Sequence, residues 1–247
     1  MRTGEVPNTG AEGGRDDLGP WIVRAYAPRD RSTVRQLALA CADPRIFPAC
    51  LAEHGEWMAD LLTCYFTDFE PGMSFVAVDS RGVVVGYALG CRSTARRNRT
   101  MLFHILPRIV LRALFSGVLF SCPWGSLAAG GVRSWRAGRQ SESALHGLAL
   151  VHFHVGVAEG ARGRGVGRAL LERFEAEAGR SGGPGIRASV LAPNPAGQAF
   201  FARNGFIELT QMDAYLPGHR SPARVMLFGK PIAATARETA EQGREVR

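Results

Sequence analysis

Residues 152–171 read HFHVGVAEGARGRGVGRALL, and this stretch decides the fold. From Ala149 to Val157 the side chains alternate between two faces, the period of a β-strand. His152 and His154 fall on one face, Phe153, Val155 and Val157 on the other. A short loop, Ala158 to Ala161, leads into Arg162-Gly163-Arg164-Gly165-Val166-Gly167. The spacing after it predicts a helix over Gly165 to Ala178, with Leu170, Leu171 and Phe174 on one side. Glycines at a strand-to-helix turn leave backbone N–H groups unobstructed where the helix dipole favours an anion, and a pyrophosphate is the natural guest. The spacing is not G-x-G-x-x-G, and no Lys-Ser/Thr pair follows, which argues against dinucleotide and NTPase loops.

Downstream, Gly182-Gly183-Pro184-Gly185 is a turn and Ile186 to Ala192 a strand. Pro195 to Arg203 is a short helix, with Pro in its first turn and Gly205 just past its end. Phe206 to Leu209 and Ala223 to Phe228 are closing strands. Upstream, Trp21 to Ala27 is a strand, and Asp30 or Ser32 caps a helix striped by Val34, Leu37, Ala38 and Cys41. A second helical stretch covers Leu51 to Phe66. Met73 to Val78 and Val83 to Cys91 form a hairpin around Gly82, and Gly86 and Gly90 signal close approach of another element. The pattern is mixed α/β: a central twisted mixed sheet of about six or seven strands flanked by helices. The expected domain spans 19–232, between a disordered tail over 1–18 and a polar tail over 233–247.

Between the third and fourth strands lies an insert, about 92–147. The formal net charge is +8, and Arg92 to Arg139 contributes nine Arg with no Asp or Glu. Such a patch attracts nucleic acid, anionic lipid or CoA phosphates alike. Met101 to Phe120 is long enough to cross a bilayer, but Arg108 and Arg112 each cost about 2.5–3.5 kcal/mol there, cancelling the apolar gain. An amphipathic helix packed on the domain is the better reading, membrane-surface contact through 92–120 the weaker one, and Ser121 to Ser143 a mobile loop. The five cysteines form no C-x-x-C pair, and the N-terminus has no apolar h-region, the pattern of reduced thiols in a cytoplasmic protein without a metal site.

Arg162, Gly165 and Gly167, as Arg-x-x-Gly-x-Gly, resemble the pyrophosphate loop of the GNAT superfamily of acetyl-CoA-dependent N-acetyltransferases. Asn194-Pro-Ala-Gly-Gln-Ala-Phe-Phe-Ala-Arg-Asn-Gly205-Phe206 is similar to the family's second signature. The likeness covers about 20–93 and 147–230. It implies acetyl-CoA as co-substrate, with pyrophosphate on the amides of Arg162, Gly163, Arg164, Gly165, Val166 and Gly167. It implies pantetheine along Val155, Gly156 and Val157 in a gap between strands four and five, with Phe200 and Phe201 beside it. A strand-four N–H near Val155 would polarise the thioester carbonyl. Asn194 would sit near the pantetheine amide or the sulfur.

Two departures stand out. Phe201 occupies the position where the family often has the tyrosine that protonates the leaving thiolate, and Tyr215 is the substitute the sequence offers. The strand also resembles the H-x-H-[ILV]-[DN] strand of acetyltransferases like the C-terminal domain of O-GlcNAcase, but Gly156 stands where that pattern has an acid or amide. His152 and His154 are candidate bases for a substrate ammonium, or a structural pair bonded to their neighbours. Asp68 and Glu70 could face the amine or cap a turn. Trp124 and Trp135 could wall the acceptor site, and Arg164 and Arg168 could reach the CoA 3′-phosphate or stay solvated. The expected activity is transfer of an acetyl group to a primary amine by direct attack on the thioester, the amine being a small molecule or a protein amine. Nucleic acid is not an expected partner. The alternative is an acyl-CoA-binding sensor or scaffold without efficient transfer.

Overall fold

Strands whose side chains alternate between two faces assemble into one sheet with a buried cluster on each side. The computed structural model describes residues 20–42, 55–115, 150–214 and 222–232. The strands are β1 (Trp21–Ala25), β2 (Ser74–Asp79), β3 (Val84–Cys91), β4 (Val151–Val157), β5 (Gly185–Leu191), β6 (Ile207–Ala214) and β7 (Ala223–Pro231). Their spatial order is β1-β2-β3-β4-β5-β7-β6. All neighbours pair antiparallel except β4 and β5. This is the mixed sheet the sequence predicts, and the last two strands run further than the alternation suggests.

The helices are α1 (Arg31–Cys41), α2 (Gly55–Cys64), α3 (Thr94–Thr100), α4 (Leu106–Phe115), α5 (Val166–Arg180) and α6 (Pro195–Arg203). α5 lies on one face of the sheet. There Phe174 and Leu170 pack with Phe75, Phe153, Phe201, Phe206 and Phe228 in a core free of charge. Gly90 in β3 makes that contact possible, because a Cβ there would sink into the Phe174 ring. α1 and the end of α2 cover the other face, where Val34, Tyr65 and Phe66 meet Val76, Tyr87 and Leu89.

Three expectations need correction. Asp30 precedes α1 but makes no side-chain cap; its carboxylate is held by both terminal nitrogens of Arg24 at 2.7 Å and by the Ala27 N–H at 2.8 Å. The second helix does not run unbroken to Phe66, for a wider π-type turn takes over at Tyr65–Phe69. The insert is not one helix either: α3 and α4 are joined by a second such turn, Met101–Ile105. Ile105 is buried, and Met101 and Ile109 pack on the α1 side of the core, whereas Leu102, Phe103, Leu106, Val110, Leu111, Leu114 and Phe115 are exposed. The expectations for 1–18, 121–143 and 233–247, and those for Trp124, Trp135 and Tyr215, lie outside the described residues.

Candidate functional site

The site begins as a tear in the sheet. β4 pairs with β3 from Gly86–Val157 to Cys91–His152, but with β5 only at Val151–Ile186 and His152–Arg187. Beyond His152 the strands part, and the β4 edge facing β5 makes no further rungs. A cleft of about 870 Å³ occupies the gap. Val155 and Val157 line one wall, Ser189 and Leu191 the other, and Gly163, Gly165 and Gly167 close one end.

The loop at that end adopts backbone that its glycines permit. Gly163 has φ +74° and Gly165 φ +84°, the left-handed region, which costs other residues about 1–2 kcal/mol. Gly165 is the N-cap of α5, so the unpaired N–H groups of the helix's first turn follow it directly. Gly167 is there for space: a Cβ would stand 3.1 Å from the Phe200 ring. Arg162 folds back, its Nε donating to the Val157 carbonyl at 3.2 Å, and ties the loop to the end of β4. Arg168 lines the cleft but is paired with Glu172 at 2.8 Å. Arg164 does not line it.

Asn194 is the N-cap of α6, its Oδ1 accepting from the Gly197 N–H at 2.9 Å. That leaves its amide N–H groups and one lone pair of Oδ1 for a ligand. Phe200 lines the cleft beside the glycine loop. Phe201 is largely core, stacked on Phe228 and edge-on to Phe153 and Phe206.

The α1 face of the gap carries the histidines. Phe66 supports both rings, with centroids 6.4 Å from His152 and 5.7 Å from His154. The two imidazoles meet edge to face at 4.6 Å. His154 opens on the cleft, whereas His152 is 7% exposed beside it. Neither ring nitrogen of His152 has a hydrogen-bond partner among the described residues. Burial, then His154, Arg97 and Arg187, hold the His152 pKa well below its ordinary value. His154 is solvent-exposed yet crowded by protein atoms, and that crowding and Arg97 lower it to about 4. Water at the cleft mouth softens the crowding, but both causes act in the same direction, so at neutral pH both rings are uncharged.

The carboxylates nearby are committed elsewhere. Arg31 grips Asp68 through two bonds of 2.9 and 3.0 Å. Glu70 accepts from the Tyr65 hydroxyl at 2.8 Å and pairs with Arg92 at 3.4 Å. Asp60 holds Arg35, and Arg112 from α4 at 2.8 Å. Neither Asp nor Glu is among the described residues lining the cleft. The thiols of Cys64 and Cys91 are pushed up to about 11, chiefly by burial, and are protonated at neutral pH.

Tyr87 is the site residue that the sequence reading missed. It lines the cleft from β3, opposite Gly156. Its ring lies over that glycine so closely that a Cβ would stand 2.5 Å from Cζ and 2.6 Å from the hydroxyl. The hydroxyl makes no hydrogen bond to a described residue, and burial raises its pKa, so it stays a donor. The signal was present in Gly156 itself: a glycine inside a buried strand marks a close approach.

Residues 126–208 match the model of the acetyltransferase (GNAT) domain. The structure is similar to that of SsHAT, with 24% sequence identity, 86% of this chain and 98% of that one covered, and a TM-score of 0.58. It is also similar to a structure described only as an acetyltransferase (20% identity, 86% and 100% covered, TM-score 0.53). A third is Ard1 from Thermoplasma volcanium (13% identity, 86% and 98% covered, TM-score 0.52).

Proposed function

We propose that the chain, whose residues 126–208 match the acetyltransferase (GNAT) domain, is an acetyl-CoA-dependent N-acetyltransferase acting on a primary amine by direct attack on the thioester. The observation that carries this reading is the tear between β4 and β5 ending on a glycine loop at a helix N-terminus. The loop amides from Arg162 to Gly167 suit a pyrophosphate, the charge that a helix N-terminus favours. The unpaired β4 edge at Val155 to Val157 suits an amide-bearing arm, which would pair with it as an added strand. A thioester laid along that edge would place its carbonyl near the Val155 N–H, a donor for the developing oxyanion.

The nucleophile must be a neutral amine. The field that lowers the imidazoles acts on any ammonium placed against them, so Arg97 and Arg187 favour the uncharged, reactive form. His154, itself neutral, accepts a hydrogen bond from the attacking nitrogen and takes its proton directly or through water. The nitrogen–carbon bond forms and the carbon–sulfur bond breaks. The Tyr87 hydroxyl donates to the departing thiolate, the part that Phe201 cannot play, and solvent supplies the final proton. Asn194 contributes an amide donor on the α6 side. Cys64 and Cys91 are protonated and buried, so neither serves as an acyl carrier.

Calorimetric titration of acetyl-CoA into the wild type and into Gly165→Glu tests the reading. Saturable binding is expected, and at least a hundredfold loss in the variant, where a carboxylate meets the pyrophosphate. A folded wild type that does not bind acetyl-CoA overturns the proposal. Binding without turnover on any amine favours the sensor or scaffold alternative.

A further inference from the structure

The segment from α3 to the end of α4 is fixed to the domain by one side. Ile105 is buried, Met101 and Ile109 pack with it against the α1 side of the core, and Arg112 bonds Asp60 of α2 at 2.8 Å. With that side engaged, α4 turns its opposite side outward, and that side is apolar. Leu106, Val110 and Leu114 recur at the spacing of one helix face, with Leu111 and Phe115 beside them and Phe103 just ahead in the turn. All are exposed, Phe103 by 65% and Phe115 by 90%. Between α2 and α4, Trp57, Leu111, Arg112 and Phe115 line an open, mainly apolar hollow of about 550 Å³. Single exposed apolar residues are ordinary on a surface, but a contiguous row marks an interaction site.

The charge around the row says what it faces. From 92 to 115 the sequence has six Arg and no Asp or Glu. Arg92 and Arg112 are paired with Glu70 and Asp60. Arg96, Arg99 and Arg108 are exposed, and their side chains make no hydrogen bond or ion pair among the described residues. A second copy of this chain docking by the same face would bring arginines against arginines. Residues 116–149, which continue from α4, carry three Arg and one Glu, the same sign again. Nucleic acid supplies the opposite charge but no apolar phase for Phe103, Leu114 and Phe115. An anionic lipid surface supplies both, phosphates for the guanidinium groups and acyl chains for the row.

We propose that α3 and α4 dock the protein on an anionic membrane surface, with the α4 row sunk into the interface and Arg96, Arg99 and Arg108 among the lipid headgroups. No helix among the described residues is long and apolar enough to cross a membrane. The helix therefore lies in the plane of the interface, its apolar side about 5–10 Å deep. Packing on the domain and contact with a membrane, alternatives in the sequence, fall on opposite sides of one helix. Docking of this kind is independent of the reaction at the cleft.

The test is flotation of the full chain with phosphatidylcholine vesicles and with vesicles that also contain phosphatidylglycerol. Binding to the mixed vesicles is expected, roughly tenfold or more above binding to phosphatidylcholine alone. Two double variants separate the components: Phe103→Ser with Phe115→Ser removes apolar surface, and Arg96→Gln with Arg99→Gln removes charge. Each is expected to weaken binding to the mixed vesicles roughly tenfold or more. The replaced side chains are exposed, so an unchanged melting curve by circular dichroism is expected and verifies folding. Failure of the wild type to float with the mixed vesicles overturns the proposal, as does equal flotation with phosphatidylcholine alone. Full retention of binding by either double variant overturns it too. Salt-dependent binding of duplex DNA in place of vesicle binding assigns the patch to nucleic acid. A dimer in sedimentation that the Phe103 and Phe115 changes dissolve assigns it to a second copy, and either result overturns the proposal.

Discussion

The two faces of the sheet are built from different materials. Against α5 the core is aromatic and uncharged: Phe75, Phe153, Phe174, Phe201, Phe206 and Phe228 close on one another. Against α1 and α2 the packing includes buried Arg35, Asp60 and Glu70, and the paired imidazoles. The first face resists distortion because every lost methylene is felt directly in a dry, close-packed core. The second depends on charges that must stay matched. The difference assigns the work: one face fixes where β4 and the glycine loop stand, the other sets the electrostatics of what enters the gap.

The contrast can be broken from either side. Phe174→Ala strikes the dry face and is expected to cost roughly 3–5 kcal/mol, read by urea denaturation; a cost below about 1 kcal/mol would mean that this face is not the framework. Asp60→Asn strikes the charged face, leaving Arg35 and Arg112 without their shared carboxylate. Its expected cost is about 2 kcal/mol, below the ~3–5 of a fully buried pair, because Arg112 is 60% exposed.

A third prediction concerns pH. A histidine whose folded pKa lies below its unfolded value leaves the folded state with fewer bound protons, so stability falls as pH drops below about 6.5. The loss through His154 continues until its folded pKa near 4. Denaturation midpoints measured at pH 7 and pH 5 are expected to differ less in His152→Asn than in the wild type; equal differences would show that the buried ring carries no such penalty. Smallest is Tyr87→Phe, which removes a hydroxyl without a partner among the described residues. Stability is expected to stay within about 0.5 kcal/mol of the wild type, while kcat falls roughly tenfold, about 1.4 kcal/mol of barrier, at an unchanged KM for acetyl-CoA. An unaltered kcat would remove Tyr87 from the chemistry.

The sequence disclosed the frame better than the chemistry. Strand alternation, the Gly82 turn and the loop from Arg162 to Gly167 are local signals, each written within a few adjacent residues, and the structure shows them in place. Gly86 and Gly90 were legible as close approaches, though nothing local said that Phe174 and Leu170 would be the visitors. The partners of Asp60, Asp68 and Glu70 were not legible, because each ion pair joins segments distant in the chain, as Arg112 to Asp60 does across the insert. Tyr87 was hidden for the same reason. Its role depends on register across β3 and β4, and one strand read alone does not reveal what lies opposite.

The brevity of the β4–β5 pairing has a mechanical consequence. A four-strand ribbon, β1 to β4, and a three-strand ribbon, β5 to β7, share two rungs at one end and none along the rest. Each ribbon is knitted by its own ladder, while two rungs and the core beneath α5 hold the seam. A molecule lying in the seam and bonding to both sides acts as a splint. It would supply the rungs that β4 and β5 do not make with each other.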